Sequence, residues 1–508
     1  MGRAPSPAKV LLIADCMLLC PPHIGGNPLR RLVAALVLLL PAIALAQLSP
    51  EVKAFVTVDA PTVVLAHVKI IDGTGAPPKD DQTIVIANGR IQFVGDAPKA
   101  AVPADAKVLD LHGYTVIPGL VGMHDHLVYP AGSGFYAEMG YSFPRLYLAG
   151  GVTTIRTTGA LEPYTDIEIK KQIDGGKSPG PKIHITGPYL EGEGSFAVQM
   201  HALTGPEDAR KTVAFWADQG ATSYKAYMFI TRAELGAAID EAHKRGLKVT
   251  GHLCSVTFRE AAAMGIDDLE HGLLVDTDFV PDKKPDACPS TGPALMQLAQ
   301  KIEINGPEVQ QTIRELIAHH VAVTSTLPVF EMFLPDRPSL QQRMLDALSP
   351  DARAAFLANK VRVGDPAFLR QRYETAASPW PALLKKEMQF EHAFVQAGGL
   401  LLAGEDPTGI GGVIAGYGDQ REVELLVEAG FTPVEAIRIA TLNGAQFLGE
   451  ADRIGSIAPG KQADLAVIHG DPSTNIADIE KVETVFKDGI GYDSAKLINS
   501  VRGVVGLR

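Results

Sequence analysis

Two histidines stand two residues apart in "VGMHDHLVYP", residues 121–130, at the end of an apolar run. In an extended strand His124 and His126 point to one side. A pair of imidazoles on one face can pack, share a proton or supply half of a metal site. Further along stand Lys225 in "ATSYKAYM", His252 in "KVTGHLCS", His271 in "DDLEHG" and Asp406 in "LLAGEDPTG". Each has an ordinary reading when taken singly. A lone His is commonly a hydrogen-bonded core residue, an Asp after a strand a helix cap, and a Lys a side chain snorkelling from an apolar wall. Taken together they concentrate at the ends of a few strand-like runs, which chance would not arrange. Neutral imidazole and carboxylate suit Zn²⁺, and a mixed nitrogen and oxygen set with an open position is what metal-assisted hydrolysis requires.

The elements that must position these groups are short apolar runs alternating with helical stretches. Strands are predicted near 117–123, 152–157, 182–187, 222–227, 247–252, 267–271, 321–327 and 400–404. Thr231 with Glu234, Thr257 with Glu260, and Thr432 with Pro433 and Glu435 read as capping boxes, and Gly246 and Gly265 fall where helices should stop. Eight β-then-α units predict an α/β fold, a (β/α)8 TIM-type barrel with its chemistry at the C-terminal strand ends; an open parallel sheet is the alternative. The histidines then share one address, because His124 and His126 follow strand one, His252 strand five and His271 strand six. Asp406 follows strand eight and Lys225 lies within strand four.

Residues 62–117 carry strand and tight-turn signals, with Asn88-Gly89 as a hairpin turn. Similar strands return in "RIGSIAPGKQADLAVIHGD" and "KVETVFKDG", so both ends of the chain are expected to share a small composite β-sandwich domain. The expected division is a leader over 1–46, the first sandwich segment over 47–116, the barrel over 117–450 and the second sandwich segment over 451–508. Two connections are longer than a barrel needs, "VDTDFVPDKKPDACPSTGP" after strand six and a proline-interrupted helical stretch over 330–396 after strand seven. Both are expected to lie over the mouth and enclose substrate.

At 508 residues with 46% hydrophobic and 20% charged, the chain reads as globular, with a large domain and a smaller one. The formal net charge of −12, with no long Lys/Arg cluster, argues against nucleic-acid binding. "RRLVAALVLLLPAIALA" gives two arginines, an apolar stretch and a small-residue end, the pattern of a secretory signal cut after Ala46. The apolar stretch is too short to span a bilayer, which takes roughly 20 residues. The expectation is an exported protein, periplasmic or secreted, with no stable membrane association after cleavage. The long leader also suggests a translation start near Met17 or Leu29. Outside it only Cys254 and Cys288 remain, so no disulfide framework is expected and a single bridge is left open.

The run "GLVGMHDH" after an N-terminal β module, followed by "GHL", "LEHG", "AGEDPTG" and "IGSIAPGKQADLAVI", resembles the metal-dependent amidohydrolase superfamily, its imidazolonepropionase-like and prolidase-like members above all. The resemblance runs from about residue 62 to the C-terminus. It implies that His124, His126 and Asp406 hold one metal and that His252 and His271 hold a second, with a carboxylated Lys225 bridging them. A lysine ammonium repels a cation, so Lys225 can ligate only as a carbamate formed with CO2. Two Zn²⁺ per chain would activate a shared water for attack on an amide carbonyl, with Asp406 as general acid/base. The implied activity is cleavage of a C–N bond in a small-molecule amide, an N-acyl amino acid or a dipeptide. A cyclic amide or imide hydrolase, a one-metal deaminase with unmodified Lys225, or an inactive binding protein on the same barrel are the alternatives.

Substrate groups are less legible. Tyr227 sits two residues after Lys225 and should face the same side, where its hydroxyl could donate to a developing oxyanion. His201, in "SFAVQMHALTG", is a candidate for the pocket, and Arg156 in "TTIRTTG" could answer a substrate carboxylate or form a salt bridge inside the barrel. Glu405 reads as packing beside Asp406. Prolidase-like members often carry Asp after the "TTIR" arginine and a Gly-rich His stretch after strand three, where this chain has Thr157 and "EGEGSFAVQMH". Large barrels often pair, so a homo-oligomer is also open.

Overall fold

Eight strands occupy the middle of the chain in the computed structural model, at Leu120–Asp125, Val152–Thr157, Lys182–Ile185, Ser223–Ala226, Lys248–Gly251, Asp268–Glu270, Ala322–Ser325 and Leu401–Ala403. The structure describes residues 48–96, 102–131, 135–195 and 197–507. The leader expected over 1–46 lies outside the described residues. Strands one to three form one parallel sheet, with the second in the centre, and strands four to eight form another in chain order. Bridges from Thr186 to Ser223 and from Leu190 to Ala226 join the two sheets between strands three and four. On the other side, the amide of Asp406 donates to the carbonyl of His124 at 3.0 Å, so the segment after strand eight is bonded to strand one. Gly404 permits that approach, since a Cβ there would lie 2.4 Å from His124 Cβ. Strands one, two, four and seven are buried at every position, as expected of parallel strands covered on both faces.

The helices between strands start where the side chains dictate. Thr231, Thr257 and Thr432 each cap the backbone three residues on, and Glu234, Glu260 and Glu435 return the bond, so all three capping boxes form. Gly265, at φ 92°, ends the helix Phe258–Met264. In the long connection after strand seven, the helices Leu327–Glu331, Pro350–Val363, Pro366–Tyr373 and Trp380–Gln396 all carry proline at the first or second helical position. Those prolines begin helices instead of breaking them, because their missing N–H would be unpaired there in any case.

One nine-stranded sheet draws on both ends of the chain. The strand Leu465–His469 pairs antiparallel with Tyr114–Pro118, and Val56 faces Tyr492 across the pairing of Val56–Val58 with Ile490–Asp493. Asn88 and Gly89 turn with φ of 52° and 72°, both positive as a tight hairpin of this type requires. This sheet has its own core, in which Val63, Leu65, Ile84, Leu465, Val467 and Phe486 pack together. Cys254 and Cys288 are joined by a disulfide, with their Cα atoms 4.9 Å apart, which ties the end of strand five to the connection after strand six. Among the described residues, no helix is long and apolar enough to cross a membrane.

Candidate metal centre

Three imidazoles from two strand ends turn one nitrogen each toward a single carboxylate. Nε2 of His124 lies 3.7 Å and Nε2 of His271 3.8 Å from Oδ2 of Asp406, and Nε2 of His126 lies 3.8 Å from Oδ1. In each ring the protein holds the opposite nitrogen. Nδ1 of His124 meets Glu270 Oε2 at 2.8 Å, Nδ1 of His126 meets the carbonyl of Gly159 at 3.3 Å, and Nδ1 of His271 meets the hydroxyl of Thr326 at 2.7 Å. Lys225 enters from strand four, its Nζ 3.0 Å from His124 Nε2. The fourth imidazole, His252, has its ring centre 4.4 Å from that of His271 and 4.8 Å from that of Tyr227. Two of these residues hold unusual backbone, His271 at φ 70° and Asp406 at φ 49°. Non-glycine residues in this region are strained and persist where the surroundings fix them, often at functional sites.

Electrostatics keep the nitrogens unprotonated. Burial drives all four imidazoles below the usual histidine range, His252 to about 3, and the nearby Lys225 charge pushes the same way. Burial also pulls Lys225 down to about 8, against the attraction of Glu270 and Asp406. Asp406 is raised by burial, with Lys225 opposing. His271 Nε2 is buried with no hydrogen-bond partner, a costly state for a polar atom unless something else is meant to occupy its lone pair. Converging neutral nitrogens, one orphaned, and a carboxylate fit a divalent cation. The donor atoms of His124, His126 and Asp406 all lie within 4.8 Å of one another.

A second grouping, His67 with Asp110 and His112, sits on the nine-stranded sheet and is largely exposed. There the two rings stack at 4.2 Å with 17° between planes, and each Nδ1 is taken by an aspartate. With both Nδ1 atoms engaged by aspartates and the group largely open to solvent, this cluster differs from the buried one, whose free nitrogens face a carboxylate.

For Arg156 the structure takes the salt bridge inside the barrel over the substrate role, and for His201 the expectation fails. Arg156 does not reach substrate: its side chain is 1% exposed, and Nη2 binds Asp268 and Glu270 at 2.9 Å each while Nε donates to the carbonyl of Met123. It acts through Glu270 on His124. His201 stands at the surface, paired with Asp208 at 3.0 Å, and does not line the cavity, because the loop that carries it folds back onto the start of helix Pro206–Gln219. Tyr227 does line the cavity, beside Lys225, His252 and Asp406. Glu405 is fully buried, raised by burial and by Asp419 and Asp125, and is not among the cavity residues.

Sequence reasoning missed Glu270, Thr326 and Thr408, whose hydroxyl donates to Asp406 at 2.6 Å. A signal for Glu270 existed. In "DDLEHG" two acids alternate on one side of a buried strand, and strand two offers one buried arginine to meet them. The cavity beside the centre has a volume of about 510 Å³ and a wall of aromatic residues from the connection after strand seven, also unforeseen.

Comparison with known proteins finds short matches in sequence and longer ones in fold. The model of the Amidohydrolase family matches residues 399–490. An imidazolonepropionase of Rhizobium rhizogenes is 34% identical over 93 residues, 17% of this chain and 23% of that protein. The chain thus matches about a quarter of the length of that relative. A dihydroorotase of Syntrophus aciditrophicus is 23% identical over 76% of this chain and 84% of its own length. A solved structure from Bifidobacterium longum, given provisionally as a prolidase, superimposes with a TM-score of 0.60 at 26% identity, covering 87% of this chain and 98% of that one. These similarities fit the amidohydrolase superfamily, with the family match itself confined to residues 399–490.

Proposed function

We propose that the chain is an exported, metal-dependent hydrolase that cleaves the C–N bond of a small amide, an N-acyl amino acid or a dipeptide. In this reading the eight parallel strands form a (β/α)8 barrel closed through Asp406 and His124, with the shared sheet as a composite β-sandwich beside it. The observation that carries the reading is the convergence of three Nε2 atoms on Asp406, each ring held from behind by the protein. His124, His126 and Asp406 would hold one zinc ion and His252 and His271 a second, with carboxylated Lys225 between them. The depressed pKa of Lys225 supports that modification, since only the neutral amine reacts with CO2. Bound zinc would polarise the scissile carbonyl and acidify water.

The chain's own groups do the rest. Asp406 takes the proton of the attacking water and passes it to the leaving nitrogen, a task suited to a carboxylate whose pKa burial has raised. Tyr227 donates its hydroxyl to the oxyanion. Export is supported by the Cys254–Cys288 bond, because disulfides persist in oxidising compartments. A one-metal hydrolase of a cyclic amide, or a deaminase, is the second reading, favoured by the tight grouping of His124, His126 and Asp406 alone.

Metal analysis of the purified protein should find two zinc equivalents per chain. One equivalent would favour the second reading and none would defeat both. Lys225→Ala should remove one equivalent and reduce kcat/KM by more than the roughly 10–100-fold typical of losing a group that merely orients a ligand. Full activity in that variant would end the bridging role.

A further inference from the structure

The wall of the cavity opposite the strand-four tyrosine belongs to the long connection after strand seven. Phe330 stands next to the centre, its ring 5.8 Å from that of His271. Trp380 continues outward, 6.0 Å from Phe330 at 22° between planes, and Phe333 stacks on Trp380 at 4.5 Å and 13°. The indole is fixed, because Trp380 Nε1 donates to the hydroxyl of Tyr373 at 3.0 Å. Three rings in near-parallel planes thus begin at a ligand imidazole and run away from it. Such a surface rewards a flat π-system by offset stacking beyond what its apolar area alone gives.

Charge supplies the second observation. Apart from the side chains of the centre itself, Arg362 and Arg372 are, among the described residues, the only charged ones lining the cavity. Both are exposed, both come from the same connection as the rings, and neither forms an ion pair among the described residues. The Arg362 guanidinium lies 5.2 Å over the Phe368 ring, which holds it in place without neutralising it. Among the described residues, no acid other than Asp406 lines the space. Two guanidinium groups with no ion-pair partner among the described residues, set in the part of the lining that the aromatic connection supplies, match a planar carboxylate. At about 510 Å³ the chamber takes a single small molecule.

We infer that this site selects amides of aromatic amino acids bearing a free carboxylate, with the aromatic ring against Phe330, Trp380 and Phe333 and the carboxylate at Arg362 and Arg372. The inference rests on the amide-hydrolase reading and narrows its substrate class.

The test uses the full mature chain loaded with zinc and three probes, N-acetyl-L-phenylalanine, N-acetyl-L-alanine and N-acetyl-L-phenylalaninamide, followed by calorimetric binding and by hydrolysis. The phenylalanine acid should bind at least about tenfold tighter than either comparator. In Trp380→Leu and Phe333→Leu the phenylalanine-to-alanine ratio should fall toward one, whereas Trp380→Phe should keep it. A double Arg362→Gln, Arg372→Gln variant should lose the preference for the acid over its amide. The inference is overturned if the wild-type ratio is already near one, or if it survives in both leucine variants. Selective binding with no hydrolysis would defeat the hydrolase reading and leave this recognition standing, and hydrolysis without selectivity would do the reverse.

Discussion

His124 donates its Nδ1 hydrogen to Glu270 over 2.8 Å, and this bond decides which face of the ring is left with a lone pair. A carboxylate can only accept, so Nε2 is the bare nitrogen, and it is the one turned to Asp406. Glu270 in turn is held by Arg156, which makes a buried chain from strand two through strand six to strand one.

Glu270→Gln keeps the shape of that chain and removes its charge. Zinc affinity should fall by about 10–100-fold, as when any group that orients a metal-binding histidine is lost. Competition against a chelator measures it, and an unchanged affinity would show that the ring is held by packing alone.

Glu138 and Asp166 give the fold a pH dependence of its own. Burial, reinforced by their acidic neighbours, raises Asp166 to about 8 and Glu138 to about 9, and neither oxygen of Glu138 has a hydrogen-bond partner. Their folded pKa values lie above the unfolded ones, so the stabilisation from holding a proton is complete below about pH 4 and is lost as pH rises through about 8 to 9. Melting temperature should therefore decline from about pH 4 up to about 8 to 9, and less steeply in Asp166→Asn, which cannot ionise. Parallel curves for the two proteins would mean that the acids are already charged in the native state.

Removing the bond between Cys254 and Cys288 should loosen the rim of the cavity. A Cys254→Ser, Cys288→Ser double variant should lose about 2–4 kcal/mol in denaturant unfolding. Because Leu274 and Val275, which line the cavity, lie within the tethered span, KM should rise more than kcat falls. Two free thiols in the native protein, found by titration, would refute the bond.

The parts of this molecule written in local pattern were readable from the chain alone. The threonine-to-glutamate capping boxes, the Asn88-Gly89 turn and the eight apolar runs depend on neighbours in sequence, and each lies where spacing places it. The five ring and carboxylate groups of the centre were readable because they end such runs. The choice between two readings of Arg156 and the place of His201 could not be read from the chain, because what a side chain meets across a barrel or at the tip of a loop depends on the folded path, which brings Arg156 to Asp268 and Glu270 and turns His201 back to Asp208. The aromatic wall was hidden similarly, since Phe333 and Trp380 meet only after four helices have packed.

The shared sheet has a consequence for how the chain is made. Val56 must wait for Tyr492, a partner more than four hundred residues downstream, before its hydrogen-bonding edge is satisfied. Until residue 492 has been made, the strand Val56–Val58 lacks that partner and remains an open template for other chains, and late pairings of this kind are slow. That strand therefore needs shelter until its distant partner emerges, and a version clipped short of residue 490 would be born sticky even with every metal-binding side chain intact.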